Sequence, residues 1–595
     1  MDTQVKLKRP IGFIKSNYVR GLYKKYKFSY LFGLIALIVV DIAQTRVPII
    51  IGAVIDEIGH KNFDMSLISS VILKLLVIAA VIYIGRISWR YFIFGASRSI
   101  EKNIRNDMFS HLEKMSAKYY QENTPGEIMA YMTNDLDAVR MALGPGILFL
   151  LDVIAMGTIT LYRMIVQIDP VLTLVGVIPL LLIAVSVRIM GRENRKRFSK
   201  RQEAFADLSK FVQEHLTGIK IIKSFVQEDK TINSFEGKVK DTYDKNMNLI
   251  KIQSLMHPFM QLISGLALAV AIGYGGYITI KGRITLGDFT AFIQFLGMLV
   301  WPMVATGLTI NIFTSGSASL ERVESILHEP VEIKDSENVS NIDTLIGSIE
   351  VKNLNYKYPG TDKYVLKNIN FRIDKGQTLG IIGRTGSGKT TLVTLFLRLF
   401  DVDKNTIFIN NEDILNIPLK LLRKNIGYVP QDNFLFSDTI KNNIDFGVRK
   451  SDIDKIIDAA EDAAVHDNIA EFQDGYETIV GERGVALSGG QKQRISIARA
   501  LIKNPEILIL DDSVSAVDTD TEEKILRHLN EKRKGKTNII IAHRISTIQN
   551  ADKIIVLDDG NIAESGTHTE LVENKGLYYS IYEKQLLEKM LEEQE

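Results

Sequence analysis

The sequence predicts two domains of different class. A six-helix all-α transmembrane domain comes first, and an α/β domain built on a phosphate-binding loop follows. Three observations carry this. Six mostly apolar runs, each near the length of a bilayer span, lie before residue 320 of the 595. After residue 347, short apolar strands alternate with helical stretches. A glycine-rich loop ending in Lys-Thr joins one such strand to one such helix.

The spans, in order, are Tyr30–Val54, Leu67–Gly95, Ala142–Ile168, Val171–Met190, Phe259–Ile280 and Leu286–Phe313. A bilayer core of about 30 Å needs roughly 20 apolar residues as a helix. One such run could be a buried soluble helix, but six together read as membrane spans. The first has no small-residue cleavage site and is too long for a signal-peptide core, so it reads as a retained span. Connections alternate: Ile55–Ser66, Asp169–Pro170 and Lys281–Thr285 are short, whereas Ala96–Met141 and Gly191–His257 are long and charged. Basic residues crowd the N-terminus (Lys6, Lys8, Arg9, Lys15, Arg20, Lys24, Lys25, Lys27) and the start of the second long loop (Arg192, Arg195, Lys196, Arg197, Lys200, Arg201). The positive-inside rule puts both, and the second half of the chain, in the cytoplasm of a multi-pass cell-membrane protein. The long loops continue the helical pattern over Arg98–Tyr119 and Glu193–Lys223, with non-periodic elements near Thr124–Asp135 and Ile219–Glu228. They read either as plain solvated helices or as levers reaching a cytoplasmic partner.

Composition limits the chemistry. There is no cysteine, which excludes disulfides, thiolate metal sites and a cysteine nucleophile. The 72 Lys+Arg against 70 Asp+Glu leave a net charge of +2, so no basic field points to nucleic acid. The boundaries expected are a membrane domain over 1–327, a polar linker over 328–346 and the α/β domain over 347–595.

The loop is Gly383-Arg384-Thr385-Gly386-Ser387-Gly388-Lys389-Thr390-Thr391, preceded by the apolar strand Thr378–Ile382 and followed by the helix Thr391–Phe400. Glycines let backbone N–H groups approach phosphate oxygens, and the helix N-terminus adds a positive dipole end. Lys389 is placed to contact the β- and γ-phosphates, and the Thr390 hydroxyl to bind Mg²⁺. This makes the second half a P-loop nucleotide-binding domain. Ile507-Leu508-Ile509-Leu510-Asp511 is a buried-type strand ending in a carboxylate, suited to orienting Mg²⁺ and its water. Leu487-Ser488-Gly489-Gly490-Gln491 opens the helical stretch Lys492–Leu501.

With these motifs in this order, the chain resembles an ATP-binding cassette (ABC) exporter half-transporter over nearly its whole length. The resemblance implies the remaining roles. Tyr358 looks like the aromatic that stacks on adenine, with Tyr356 its rival. Gln431 looks like the glutamine that reaches Mg²⁺ and senses the membrane domain. Ser488, Gly489, Gly490 and Gln491 form the signature that faces ATP bound on another cassette. Thr478–Gly484, including Glu482, resembles the exporter loop that touches the levers. Ser515–Asp518, including Asp518, resembles the loop that communicates between cassettes. His543, after the strand Asn538–Ala542, looks like the switch histidine at the γ-phosphate.

One residue departs from the family's pattern. The usual residue after the carboxylate strand is Glu, the general base on the attacking water. Here it is Asp512, one methylene shorter. A base must lie within about 2.6–3.2 Å of its proton or act through one water, so the expectation is a site that binds ATP and hydrolyses it slowly. Backbone adjustment restoring the reach is the alternative. In the family, each ATP lies between the phosphate loop of one cassette and the signature of the other. An impaired base beside an intact signature resembles the degenerate subunit of bacterial heterodimeric multidrug exporters, whose partner half-transporter supplies the glutamate. A homodimer remains the alternative.

The mechanism implied is alternating access. ATP closes the cassettes, levers carry the closure to the spans, and hydrolysis resets them. Charges inside spans face a cavity or a partner; the candidates are Asp41, Arg46, Arg86, Arg90, Asp152 and Arg163. Asp41 and Gln44 share a helix face and are read as lining a cavity for small cationic amphiphiles, with pairing inside the bundle as the other explanation. A homodimeric lipid or peptide exporter, or an ATP-gated channel or regulator without net pumping, would carry the same motifs.

Overall fold

The computed structural model describes residues 16–592 apart from 60–64, 337, 338, 341, 343, 449, 482–485 and 516. The basic residues Lys6, Lys8, Arg9 and Lys15 and the loop residue Glu482 lie outside the described residues. The chain divides into two units, one of residues 16–113 and 125–329, the other of residues 114–124 and 330–592.

The first unit is built of long helices: Asn17–Gly59, Met65–Leu112, a continuous run over Pro125–Ile168, then Pro170–Thr217, Glu228–Ile280 and Leu286–Leu327. Among the described residues five of them, rather than the six expected, are long and apolar enough to cross a membrane. In Pro170–Thr217 the described apolar stretch is the shorter Pro170–Ile183, although the helix itself has 48 residues. Helix starts follow local chemistry. Asp169 accepts from the Leu172 N–H at 2.8 Å with Pro170 at the first helical position, and Thr285 and Asp288 form a reciprocal capping box. The first and last helices meet backbone to backbone: a Cβ on Gly287 would lie 2.1 Å from the Gly52 carbonyl oxygen. Asp56 closes this contact by accepting from Gly287 N–H at 2.6 Å and the Thr285 hydroxyl at 2.7 Å. Large apolar side chains stay exposed along the helices, among them Leu73, Ile84 and Leu174, as a lipid-facing surface requires.

The lever tips fall partly elsewhere than expected. The helix expected over Arg98–Tyr119 ends at Leu112, and the first tip is the short helix Ala117–Glu122, not the stretch near Thr124–Asp135. The reason is local. Ser116 caps Ala117–Glu122, and Pro125 opens the next helix, into which Tyr131–Asp135 runs as a π turn. Residues 114–124 pack with the second unit, where Ala117 lies against its core and Glu332 accepts from Ser116 at 2.9 Å and Lys118 at 2.7 Å. The second tip is Ile219–Ser224, set off by Gly218 from the helix ending at Thr217.

The second unit has two sheets. An antiparallel one runs β2 (Leu366–Ile373), β1 (Ile349–Tyr356), β4 (Ile407–Ile409), β5 (Glu412–Asp413). The larger runs β10 (Asn561–Gly566), β9 (Lys553–Asp558), β3 (Thr378–Gly383), β8 (Thr537–Ile541), β7 (Ile507–Asp511), β6 (Ile426–Val429). All its neighbours pair in parallel except β9 with β10. Parallel strands covered on both faces read as unbroken apolar runs, and β7 and β8 are buried at every position. One core fills the space between the sheets and the helix Lys389–Phe396; the other lies under Gly489–Leu501 and Thr519–Lys532.

Candidate functional site

The C-terminal ends of the parallel strands converge, as ligand sites in such sheets do. The phosphate loop leaves β3, Asp511 ends β7, His543 follows β8 and Gln431 follows β6. Thr385, Gly386, Gly388, Lys389, Thr390 and Thr391 line one cavity of about 290 Å³, and Gln431, Asp511, Asp512 and His543 close it. Gly386 and Gly388 have φ of +82° and +100°, which side chains rarely adopt. A Cβ at Gly388 would also lie 2.7 Å from Leu366.

Each polar group in the cavity has a definite place. Lys389 is buried and donates to the carbonyl oxygens of Gly383 at 2.8 Å and Arg384 at 3.0 Å. Burial pushes its ammonium pKa down, against the opposing pull of Asp511 and Asp512. Asp511 is 1% exposed; burial pushes its pKa up, while the Thr390 hydroxyl (3.2 Å) and the Tyr428 hydroxyl (3.4 Å) donate to it and oppose the rise. Ser387 is buried, and its hydroxyl has no partner among the described residues. An unpaired buried hydroxyl in a phosphate loop suits a phosphate oxygen. Nucleotide fits this cradle.

The Asp512 backbone is left-handed, with φ +48°. Its carboxylate accepts from Gln431 Nε2 at 3.5 Å and lies 3.9 Å from His543 Nε2. Its backbone is held by N–H donation to the Ile541 carbonyl at 3.0 Å, and its own carbonyl accepts from Ser515 (3.0 Å) and Gln493 (3.2 Å). Gln493 escaped the sequence reading. It is 4% exposed on the helix behind the signature, where the other buried residues apart from Ser496 are apolar.

Other predicted residues lie outside this cavity. Tyr358 is half-buried, and its hydroxyl is 3.0 Å from that of Thr391, while Tyr356 belongs to the core between the sheets. The signature residues do not line the phosphate-loop cavity. Ser488 and Gln491 instead form a reciprocal capping box at the start of Gly489–Leu501 (3.0 and 3.2 Å). Asp518 is exposed and caps Thr519–Lys532 by accepting from Thr521 N–H at 3.0 Å, a bond that holds its carboxyl below the usual range.

In the first unit, Asp41, Gln44, Arg86, Arg90 and Asp152 line a single cavity of about 400 Å³ with Trp89 and Trp301. Arg46 and Arg163 do not line it. Arg86 donates to Gln44 at 3.2 Å. Asp41 is 3% exposed, and its Oδ2 has no partner among the described residues.

Comparison with known proteins places this geometry. The family model for the ABC transporter transmembrane region matches residues 30–303, and the ABC transporter model matches residues 366–515. The chain is 39% identical over 565 residues to the probable multidrug resistance ABC transporter ATP-binding/permease protein YheI of Bacillus subtilis, covering 95% of this chain and 96% of that one. It is 35% identical over 493 residues to an ATP-dependent lipid A-core flippase of Syntrophus aciditrophicus, covering 82% and 81%. A solved bacterial Atm1-family ABC exporter with ATP bound superimposes with a TM-score of 0.77 at 25% identity, over 96% of this chain and 99% of that one. ABC exporters work as dimers in a lipid bilayer. The chain therefore belongs to the ABC transporter family: it is a multi-pass membrane exporter with fused transmembrane and ATP-binding domains, the latter cytoplasmic, that couples ATP hydrolysis to transport.

Proposed function

We propose that this chain is one half of a heterodimeric multidrug exporter and that the ATP site on its own phosphate loop is slow. The observation that carries this is Asp512. It occupies the general-base place beside Gln431 and His543, on a backbone fixed by three hydrogen bonds. That fixed backbone leaves little freedom to recover the methylene by which Asp falls short of Glu. Misplacement near 1 Å can cost about 100-fold in rate. The partner half supplies the glutamate and completes the competent site against Ser488, Gly489, Gly490 and Gln491.

In this reading Lys389, Ser387 and the loop N–H groups bind the phosphates, and Tyr358 carries the adenine. Thr390, Asp511 and Gln431 hold Mg²⁺. These oxygen donors suit a hard cation that keeps waters and phosphate ligands, and the described residues contain no group of three His, Cys, Asp or Glu able to hold a metal alone. Asp518 and Glu482 take part in coupling. Residues 1–327 act as the membrane domain, 328–346 as linker and 347–595 as the cassette. Pro170–Thr217 serves as the remaining one of six spans; at 1.5 Å per residue it extends for about 70 Å. Its exposed tip, with Phe225 and Val226 at 71% and 80% exposure, is read as a lever end that docks on the partner's cassette.

The cargo is a small amphiphile with a cationic centre, drawn to the open Oδ2 of Asp41 in the cavity that Trp89 and Trp301 also line. The likeness to a lipid A-core flippase favours a second reading, homodimeric lipid export. ATPase turnover with the candidate partner, without it, and with Asp512→Glu separates them. Turnover that needs the partner supports the first; equal turnover of wild type and the Glu variant alone supports the second.

A further inference from the structure

The loop carrying His543 is exposed at His543 and Arg544, so burial does not fix its orientation. It is held by side chains instead. Gln585, on the helix Leu577–Glu592, donates from Nε2 to the His543 carbonyl oxygen at 2.7 Å. Its Oε1 accepts the Ile545 N–H at 2.8 Å. One side-chain amide thus spans Arg544, holding the two successive peptide groups that directly follow the histidine. From the other flank Glu522, 3% exposed, accepts from the Thr547 hydroxyl and lies 3.5 Å from Arg544 Nη1.

The first half of the helix bearing Gln585 packs on the core through Leu577, Ile581 and Tyr582. Tyr578 is fully buried, and its hydroxyl meets His568 Nδ1 at 2.8 Å. Glu564 of β10 accepts the N–H groups of Leu577 and of Tyr578, the latter at 3.1 Å. Gly576 permits this, because a Cβ there would lie 2.1 Å from Glu564 Oε1. Gln585 follows Leu577 by eight residues, about 12 Å along the axis. Past it, Leu586, Leu587, Met590 and Leu591 are exposed. The far half of the helix therefore meets the cassette through a polar clamp on the histidine loop, not through an apolar seam.

We infer that Gln585 is a positioning residue for the switch histidine, and that it makes the C-terminal helix part of the γ-phosphate sensor. Two bonds on successive peptide groups set the carbonyl of residue 543 and the N–H of residue 545, and so aim the imidazole at Asp512 and the phosphate cavity. Losing the clamp frees the loop to rotate, which weakens contact with a γ-phosphate and leaves contact with α- and β-phosphates intact. This rests on reading His543 as the γ-phosphate contact.

The test is equilibrium binding of Mg-ATP and Mg-ADP to the full-length chain, in wild type, His543→Ala, Gln585→Ala and Gln585→Glu forms. Gln585→Ala should weaken ATP binding about fivefold, the worth of one or two net hydrogen bonds, and leave ADP binding unchanged. Gln585→Glu keeps the acceptor for Ile545 but sets a carboxylate oxygen against the His543 carbonyl oxygen, so it should weaken ATP binding at least as much. If His543→Ala weakens ATP alone while both Gln585 variants bind like wild type, the positioning role is overturned and the histidine reading stands. Equal weakening of ATP and ADP by both Gln585 variants also overturns it, because a general loss of domain stability acts that way. If His543→Ala leaves ATP binding unchanged, the histidine reading falls and the clamp's purpose falls with it.

Discussion

The phosphate-loop cavity and the intramembrane cavity each hold buried carboxylates, but they treat them differently. In the first, Asp511 has two hydroxyl donors and Lys389 has two carbonyl acceptors. In the second, Asp41 is as buried, yet one of its oxygens has no partner among the described residues. A cluster whose charged groups are held by fixed partners, with the Ser387 hydroxyl left open for a phosphate oxygen, is built for one ligand geometry. A carboxylate left unsatisfied beside tryptophans costs stability unless a cation arrives. The ATP site specifies one ligand; the membrane cavity, where Arg86 and Arg90 face the same space as Asp41 and Asp152, is proposed to select by charge and apolar bulk.

The largest effect is expected at the phosphate-loop site. Lys389→Ala removes a buried ammonium that feels the charges of Asp511 and Asp512, and ATP-driven efflux from vesicles should fall at least about 100-fold. Retention of a tenth of wild-type transport would break the account of that cavity. At the unsatisfied site, Asp41→Asn keeps the shape and removes the charge. Efflux of a cationic dye should fall about tenfold, while that of a neutral amphiphile of similar size changes less than twofold. Equal loss of both dyes would make Asp41 a packing residue. Gln493→Ala removes one donor from the Asp512 carbonyl, and turnover of the assembled exporter should fall about threefold with KM for ATP unchanged. The smallest effect is at Asp518, which spends its carboxylate on a helix cap. Asp518→Asn, a good cap itself, should leave the denaturation midpoint within experimental error, whereas Asp518→Ala should lower it measurably. Loss of transport in Asp518→Asn would then isolate its proposed coupling role from capping.

The two regions also differ in how far the sequence discloses them. The ATP site is written in short loops at strand ends, where Gly386, Gly388, Lys389, Thr390, Asp511 and His543 are each within a few residues of a predictable strand. Local chemistry there dictates placement. What the motif could not tell was which tyrosine belongs to the core; Tyr356 pairs with Leu366 of β2 and is buried, while Tyr358 lies beside Thr391. The membrane cavity joins Asp41, Arg86, Asp152 and Trp301 from four helices. Asp41 and Gln44 were legible as one face, but periodicity carries no information on which faces meet. That is also why Arg46 and Arg163 could not be set apart from the others. The first lever tip was misplaced because an N-cap at Ser116 and a proline at 125 outweigh a charged helical pattern that runs past both. Gln585 and Gln493 act through backbone groups far away in sequence, and no motif marks them.

The central claim is that the site behind Asp512 holds ATP and turns it over slowly. The most direct measurement is the ATPase rate of the purified chain alone in lipid, beside its Asp512→Glu variant, with ATP binding measured on both. The account predicts near-background turnover with full ATP binding for wild type and a rise of at least about tenfold for the variant. Wild-type turnover equal to that of the variant would contradict it, and the asymmetric mechanism would then be withdrawn in favour of a homodimer.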